Sequence, residues 1–387
     1  MFKPFFVKSV TENLKLCESY KHHVLDRVCQ HKFPPVQSAS IFSPSRCKAV
    51  RNIKAITDKI AEIAEEGRSL ADIPMPSPAS QSAEEEYSFK IPYQKFLSEG
   101  FEETHYFDYT FFSCSRNEIE KIKAQLTDFT FLLYCGRGQF GSVWLVKDLS
   151  EQIVALKLIP KKAFKKLNTE KAALTAYRSK IRNFEHLVQI YHVGQTDDFF
   201  YYTMEAACSI SDKYYIPITL SRLLEHCFFA PKDCVDILLD VLAGLGQLHS
   251  NDLAHRDIKP ENIILVDNKI KICDISLIMH KSQKNSTGTE PFLPQDIEAI
   301  PEECFGTDCD LFAAGKVLYT LLSNNENVGE FPYIARTLLC NKLAQKLNLI
   351  INKACAPSYK ERYSDISEFI QALLKAKNSS SRLFDFF

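Results

Sequence analysis

Residues 255–265 read HRDIKPENIIL, and three of them carry groups that chemistry can use. Asp257 offers a carboxylate able to accept a hydroxyl proton, Lys259 a cation able to offset charge on a transferring phosphoryl group, and Asn262 an amide oxygen able to ligate Mg²⁺. Upstream, Gly136, Gly138 and Gly141 in GRGQFGSV have G-x-G-x-x-G spacing, which lets backbone amides approach phosphates with no Cβ in the way. That spacing also occurs in dinucleotide folds, where a helix begins at the third glycine, but here SVWLVKD continues as a strand. Lys157 in VALK adds a compact charge for phosphates if a carboxylate holds it, and Glu170 in NTEKAAL is the candidate partner. Asp274 in ICDIS then poses a question: is it a metal-binding carboxylate in a working site, or the remnant of one?

The elements that must position these groups are legible from patterning. FTFLLYCGRGQFGSVWLVKD followed by QIVALKLI reads as strand, glycine turn, strand and strand. Val235, Leu238, Leu239, Leu242 and Leu245 keep helical spacing after Pro231, which suits a first helical turn, and Leu311, Ala314, Leu318, Leu321 and Leu322 repeat the pattern. A β-rich part therefore precedes an α-rich part, with the polar motifs between them.

Ahead of this body the chain divides by composition. Residues 1–72 form an extension in which Ile53, Ile56, Ile60 and Ile63 mark one face of an expected helix over 52–66, with Gly67 at its C-cap. Residues 73–86, rich in Pro, Ser and Glu, read as a linker. Residues 87–127 are too aromatic for comfortable disorder and are expected to pack, with Ser115 and Glu118 forming a capping box for a helix through Ile119, Ile122 and Leu126. The tail, 377–387, ends LFDFF and is left unassigned.

Of the 387 residues 45% are apolar and 25% charged, as in ordinary globular protein, and a formal charge of −1 gives no footprint for nucleic acid or an anionic membrane. The 13 cysteines are irregularly spaced without a C-x-x-C pair, so reduced thiols in a cytoplasmic protein are expected. Cys304 and Cys309 lie close together but lack a second ligand pair for zinc. No apolar run reaches the roughly 18 residues of a membrane span.

On these motifs, residues 128–376 resemble the eukaryotic-type protein kinases, including those of bacteria, and the DIKPEN run is similar to the serine/threonine branch. The resemblance implies an α+β, bilobal fold, a small β-rich lobe over a larger helical one, with ATP between. It implies that Gly136, Gly138 and Gly141 cover the phosphates, that Lys157 contacts them and pairs with Glu170, and that Asp257 faces the substrate hydroxyl with Lys259 beside it. Asn262 and Asp274 would bind Mg²⁺, Val143, Ala155 and Ile264 would sandwich the adenine, and Met204, Glu205 and Ala207 would form the gate and hinge. Asp310 in CDLFAAG would brace the catalytic loop, and Arg362 would pair with the carboxylate closing the activation segment. The expected partner is a protein with a serine or threonine hydroxyl, with a transient homodimer for self-phosphorylation and no nucleic acid.

The chain departs from the pattern in two places. Asp274-Ile275-Ser276 stands where the family has Asp-Phe-Gly; a serine forced to positive φ there would cost on the order of 1 kcal/mol, which biases the loop without abolishing catalysis. Pro294-Gln295-Asp296 stands for Ala-Pro-Glu, a carboxylate shorter by one methylene. Between them, Ser286, Thr287 and Thr289 are candidates for a phosphate that would pair with Arg256, with a structural hydroxyl at the catalytic loop as the competing role of Thr289. Cys273 is given no catalytic role. Two rivals remain: a pseudokinase scaffold without catalysis, and a small-molecule kinase of similar fold.

Overall fold

The computed structural model describes residues 91–99, 116–137, 141–210, 215–284, 288–324, 331 and 341–381. The expected helix 52–66, the linker 73–86, Ser115, Gly138, Ser286, Thr287 and the last six residues lie outside the described residues.

A short strand β1 (Ile91–Pro92) leads directly into helix α1 (Tyr93–Glu99), and helix α2 (Arg116–Gln125) precedes the sheet, as the Ile119, Ile122 and Leu126 spacing predicts. Strands β2 (Thr130–Arg137), β3 (Ser142–Lys147), β4 (Ile153–Pro160), β5 (Ile190–Gln195) and β6 (Phe199–Met204) make one antiparallel sheet in the order β2-β3-β4-β6-β5, with helix α3 (Phe164–Lys180) inserted between β4 and β5. Alternation along the strands gives the sheet two jobs. Trp144, Val146, Val154, Leu156 and Leu158 form one apolar face, closed by the buried Ile122 of α2 and by Leu126 just after it. The other face carries the cross-strand pairs Val143 with Lys157 and Leu145 with Ala155, which places a lysine at the end of an apolar row. Helix α2 is also fixed by polar contacts: Gln125 Nε2 donates to Asp198 Oδ2 at 2.7 Å, and Thr196 Oγ1 donates to Gln125 Oε1 at 2.8 Å.

Beyond β6 the chain becomes mostly helical: α4 (Leu220–His226), β7 (Cys227–Phe228), α5 (Pro231–Ser250), β8 (Leu253–Ala254), β9 (Ile263–Val266), β10 (Lys269–Ile272), β11 (Met279–His280), α6 (Phe305–Leu322), α7 (Lys342–Ala354) and α8 (Ile366–Ser381). Helix α6 is buried on every side, which marks it as the post around which this lobe is built. Leu238, Val241, Leu242 and Leu245 of α5 share its core with Leu311, Ala314, Leu318 and Leu321 of α6. The expected β-rich and α-rich lobes are both present.

The described part of the aromatic-rich segment does pack, and on the helical lobe. Strand β1 pairs in parallel with β7, Phe96 of α1 is completely buried, and the ring of Tyr93 lies 4.9 Å from that of Phe229. Gln94 Nε2 donates to Asp233 Oδ1 at 2.7 Å. Among the described residues no helix is long and apolar enough to cross a membrane.

Candidate active site

The glycine turn joins β2 to β3, and two of its glycines are required by geometry. Gly136 sits at φ 147°, which only glycine adopts readily. A Cβ on Gly141 would come within 2.0 Å of the Leu158 carbonyl oxygen, so any side chain there would push the turn off β4.

Lys157 projects from β4 into a buried cluster of opposite charge. Its Nζ lies 3.1 Å from Glu170 Oε1 of α3 and 2.8 Å from Asp274 Oδ1, and it donates to the Ser276 hydroxyl. The pair expected between Lys157 and Glu170 is therefore made. Burial works against the ammonium charge, but Asp274 and then Glu170 more than offset it and hold Lys157 protonated above the usual lysine range. Burial alone would raise the Asp274 carboxyl; the Lys157 charge, the Lys157 hydrogen bond and the Ser276 hydrogen bond instead hold it well below the usual carboxylate range. Tyr202, which faces Lys157 across the β4–β6 register, donates to Glu170 Oε1 at 2.7 Å. Sequence reasoning missed Tyr202; its position two residues before Met204 on a strand paired with VALK was the signal that could have found it.

The expected cost at Ser276 is corrected by the backbone. Ser276 does not have positive φ; it lies in a 3₁₀ turn, Ile275–Leu277, and the left-handed residue is Asp274 at φ 57°, ψ 74°. Aspartate tolerates that region better than most residues because its carboxylate bonds locally, here to the Ser276 N–H at 3.3 Å.

The loop after β8 carries the second cluster. Asp257 Oδ1 accepts from Thr289 Oγ1 at 2.6 Å, and Oδ2 accepts from Asn262 Nδ2 at 2.9 Å and lies 2.8 Å from Lys259 Nζ. Lys259 also donates to Thr289 Oγ1 at 2.7 Å, so Thr289 is a hydroxyl bound into this loop. The loop hangs from Asp310 of α6, whose Oδ1 accepts from Arg256 N at 2.7 Å and whose Oδ2 accepts from His255 N at 2.8 Å. His249 Nε2 lies 2.8 Å from the same Oδ2. Burial would raise the Asp310 carboxyl, yet His249, His255 and the Arg256 amide hold it low. Asn262 O accepts from Cys273 N at 2.9 Å, which ties the loop to the strand ending at Asp274. The Cys273 thiol is pushed up to about 12, by burial first and the Asp274 charge second, and stays neutral at ordinary pH.

Of the residues expected around adenine, Ala155 and Met204 face each other in the β4–β6 register, Val143 packs on the apolar cluster containing Ala155, and Ile264 shares a small cluster with Ala207. The Glu205 side chain is held by the protein: Lys271 Nζ lies 2.7 and 2.8 Å from its two oxygens, and Gln189 N donates to Oε2 at 2.8 Å, which leaves a nucleotide contact at this residue to the backbone. After the hinge a hairpin closes through Ile210 N to Ile216 O and Ile218 N to Cys208 O, and returns Tyr215 to donate to Ala207 O at 3.0 Å.

The segment from Asp274 to Asp296 is pinned at both ends. Arg256 donates to the carbonyls of His280, at 2.9 Å, and Gln283, with its guanidinium 5.4 Å from the Phe305 ring centroid. Arg362 donates to Asp296, as expected, and also to Asp308, while Tyr359 N donates to the other Asp296 oxygen at 2.7 Å.

Comparison with known proteins agrees with this geometry. Residues 129–383 match the protein kinase domain family. The chain is 30% identical over 200 residues to calcium-dependent protein kinase 4 of Plasmodium berghei (strain Anka), covering 49% of this chain and 36% of the relative. It is 30% identical over 208 residues to the serine/threonine-protein kinase Sgk1 of Homo sapiens, covering 51% and 46%. With Sgk1 of Danio rerio it shares 28% identity over 269 residues, covering 67% and 57%. The chain thus spans between 36% and 57% of the length of these relatives. A family match over most of the chain, on a sheet lobe and a helical lobe with Lys157, Asp257 and Asp274 where the lobes meet, makes this chain a member of the protein kinase domain family.

Proposed function

We propose that the chain is an ATP-dependent serine/threonine protein kinase that transfers the γ-phosphate to a protein hydroxyl. The observation that carries this reading is the double engagement of Lys157, from the sheet lobe, by Glu170 and by Asp274 of the helical lobe, which supports a phosphate site shared by the two lobes. The glycine turn would cover the phosphates, Lys157 would contact them, and Val143, Ala155, Ile264 and the hinge backbone of Met204 to Ala207 would hold the adenine. Asp257, aimed by Thr289 and Asn262, would take the substrate proton, and Lys259 would offset charge on the moving phosphoryl group. A cavity of about 220 Å³ beside Thr289, lined by Leu224, Pro260, Glu261, Glu290 and Phe292, would give room for a substrate residue flanking the accepting hydroxyl.

The donor set fits a magnesium ion. Asn262 spends its amide nitrogen on Asp257, leaving its carbonyl oxygen, and the protein contacts of the Asp274 carboxylate fall on Oδ1 among the described residues. Two side-chain oxygens are what Mg²⁺ ordinarily takes from a protein, the rest of its shell coming from phosphates and water. When bound, the ion would supply charge neutralisation on the phosphates.

The test is transfer of labelled γ-phosphate from ATP, with magnesium present, to a basic protein and to the chain itself, in wild type, Asp257→Ala and Asp274→Ala. Wild type should transfer, and Asp257→Ala should fall by roughly 10²–10⁴-fold, the size of a general-base contribution. Equal transfer by wild type and Asp257→Ala would refute the assignment. Nucleotide binding without transfer by any of the three would favour a non-catalytic scaffold.

A further inference from the structure

The family carries glycine where this chain has Ser276, and the structure gives that extra hydroxyl two contacts. Ser276 is 1% exposed; its Oγ accepts from Lys157 Nζ and donates to Asp274 Oδ1, while its N–H also points at Oδ1, 3.3 Å away. With Lys157 Nζ at 2.8 Å, three donors converge on one carboxylate oxygen. The other oxygen, Oδ2, takes no hydrogen bond from a described residue. A carboxylate held by one oxygen has lost most of its rotational freedom about χ2, and its second oxygen is fixed in direction. A glycine would supply only the N–H, the longest of the three contacts. The 3₁₀ turn accommodates the added Cβ because residue 276 has ordinary φ, and the left-handed strain falls on Asp274 instead.

We infer that Ser276 is a positioning residue of this chain's own, whose hydroxyl locks Asp274 with Oδ1 bound to protein and Oδ2 presented to the divalent cation that accompanies the nucleotide phosphates. The inference rests on the proposed role of Asp274 as a metal ligand. Groups that orient a ligand in this way act through it: their removal weakens metal binding by about 10–100-fold while contacts to the rest of the ligand stay as they were. The direct Lys157–Asp274 pair does not need the hydroxyl, so the loss belongs at the low end of that range.

The experiment uses the full chain and a fluorescent ATP analogue, with affinity measured in EDTA and then across a Mg²⁺ titration, for wild type, Ser276→Ala and Ser276→Gly. Both substitutions should leave the metal-free affinity within about twofold and raise the Mg²⁺ concentration for half-maximal enhancement about tenfold. Alanine and glycine should behave alike, since the hydroxyl and not the Cβ is the operative group. A wild type whose affinity ignores Mg²⁺ would remove the metal role of Asp274 itself. If wild type responds to Mg²⁺ but the variant curves overlay it, the role of Asp274 stands and that of Ser276 is overturned. An equal loss of metal-free affinity, or a fall in melting temperature so large that binding cannot be read, would also overturn it, because the hydroxyl would then be serving Lys157 or the packing of the turn.

Discussion

Replacing Asp310 by asparagine should destabilise the chain by about 1–5 kcal/mol, a figure that follows from counting donors and allowing for backbone strain. Asp310 is completely buried and takes three: Arg256 N at 2.7 Å on Oδ1, and His255 N and His249 Nε2, each at 2.8 Å, on Oδ2. Asparagine keeps one oxygen, and the better choice is to leave it facing the two histidine donors. Its NH₂ then faces the Arg256 N–H. One hydrogen bond to a charged acceptor is lost, about 1.5–3 kcal/mol, and a buried N–H is left unsatisfied, about 1–3 kcal/mol. One term works the other way. Arg256 is held at φ 69°, and freeing it relieves about 1–2 kcal/mol of left-handed strain, which trims the loss without cancelling it. The measurement is urea unfolding of the full chain at pH 7.5, followed by circular dichroism, since α5, α6, α7 and α8 dominate the helical signal. A destabilisation under about 1 kcal/mol would show that the loop does not hang from this carboxylate, and the proposed bracing would fail.

Phe96→Ala should cost about 3–5 kcal/mol in the same unfolding assay because the side chain is fully buried in the helical lobe's core; a loss under about 1 kcal/mol would mean that α1 is not part of the folded body. Tyr202→Phe removes one of the two donors to Glu170 Oε1, and with Glu170 Oε2 taking no hydrogen bond from a described residue it should cost about 1–3 kcal/mol; no change would place Tyr202 outside the ion-pair network. Asp308 beside Arg362 has its carboxyl raised to about 6, by burial first, with the Arg362 charge opposing. Between its ordinary value of 3.8 and 6 the folded chain binds more protons than the unfolded one, so this group's contribution falls as pH rises through that window, by about 3 kcal/mol, and is flat above it. Asp308→Asn should abolish that slope in unfolding measured from pH 4 to 7, and parallel curves for the two proteins would refute the assignment.

What the sequence made legible was what it encodes locally. HRDIKPENIIL carries its spacing within one loop, and Lys259 and Asn262 both reach Asp257 because they are near neighbours in the chain. Lys157 and Asp274 were legible for another reason: Lys157 stands within an apolar strand and Asp274 just after one. The contacts that escaped depend on register or on long separation. Tyr202 reaches Glu170 only because β6 pairs with β4 at a particular offset. Glu205 meets Lys271 across 66 residues, and neither sits in a string that would announce the other. Ser276 was misjudged because the family's glycine suggested positive φ at that residue, whereas backbone dihedrals are settled by the surrounding turn, and here the turn places the left-handed residue two positions earlier. The docking of β1 and α1 onto β7 was beyond periodicity altogether, since a two-residue strand has no period.

The grip of Arg256 on the activation segment has a consequence for how this protein tolerates change. Its guanidinium is received by the carbonyls of His280 and Gln283, and a carbonyl belongs to every residue type. Substitution at 280 or 283 therefore cannot delete the acceptor, and a scan of side chains along the segment would pass over the contact without registering it. At these two contacts the genetic sensitivity falls on the donor. Positions 280 and 283 are free to drift in sequence while keeping this contact, and the arginine is not, an asymmetry that concentrates in a single codon the cost of losing it.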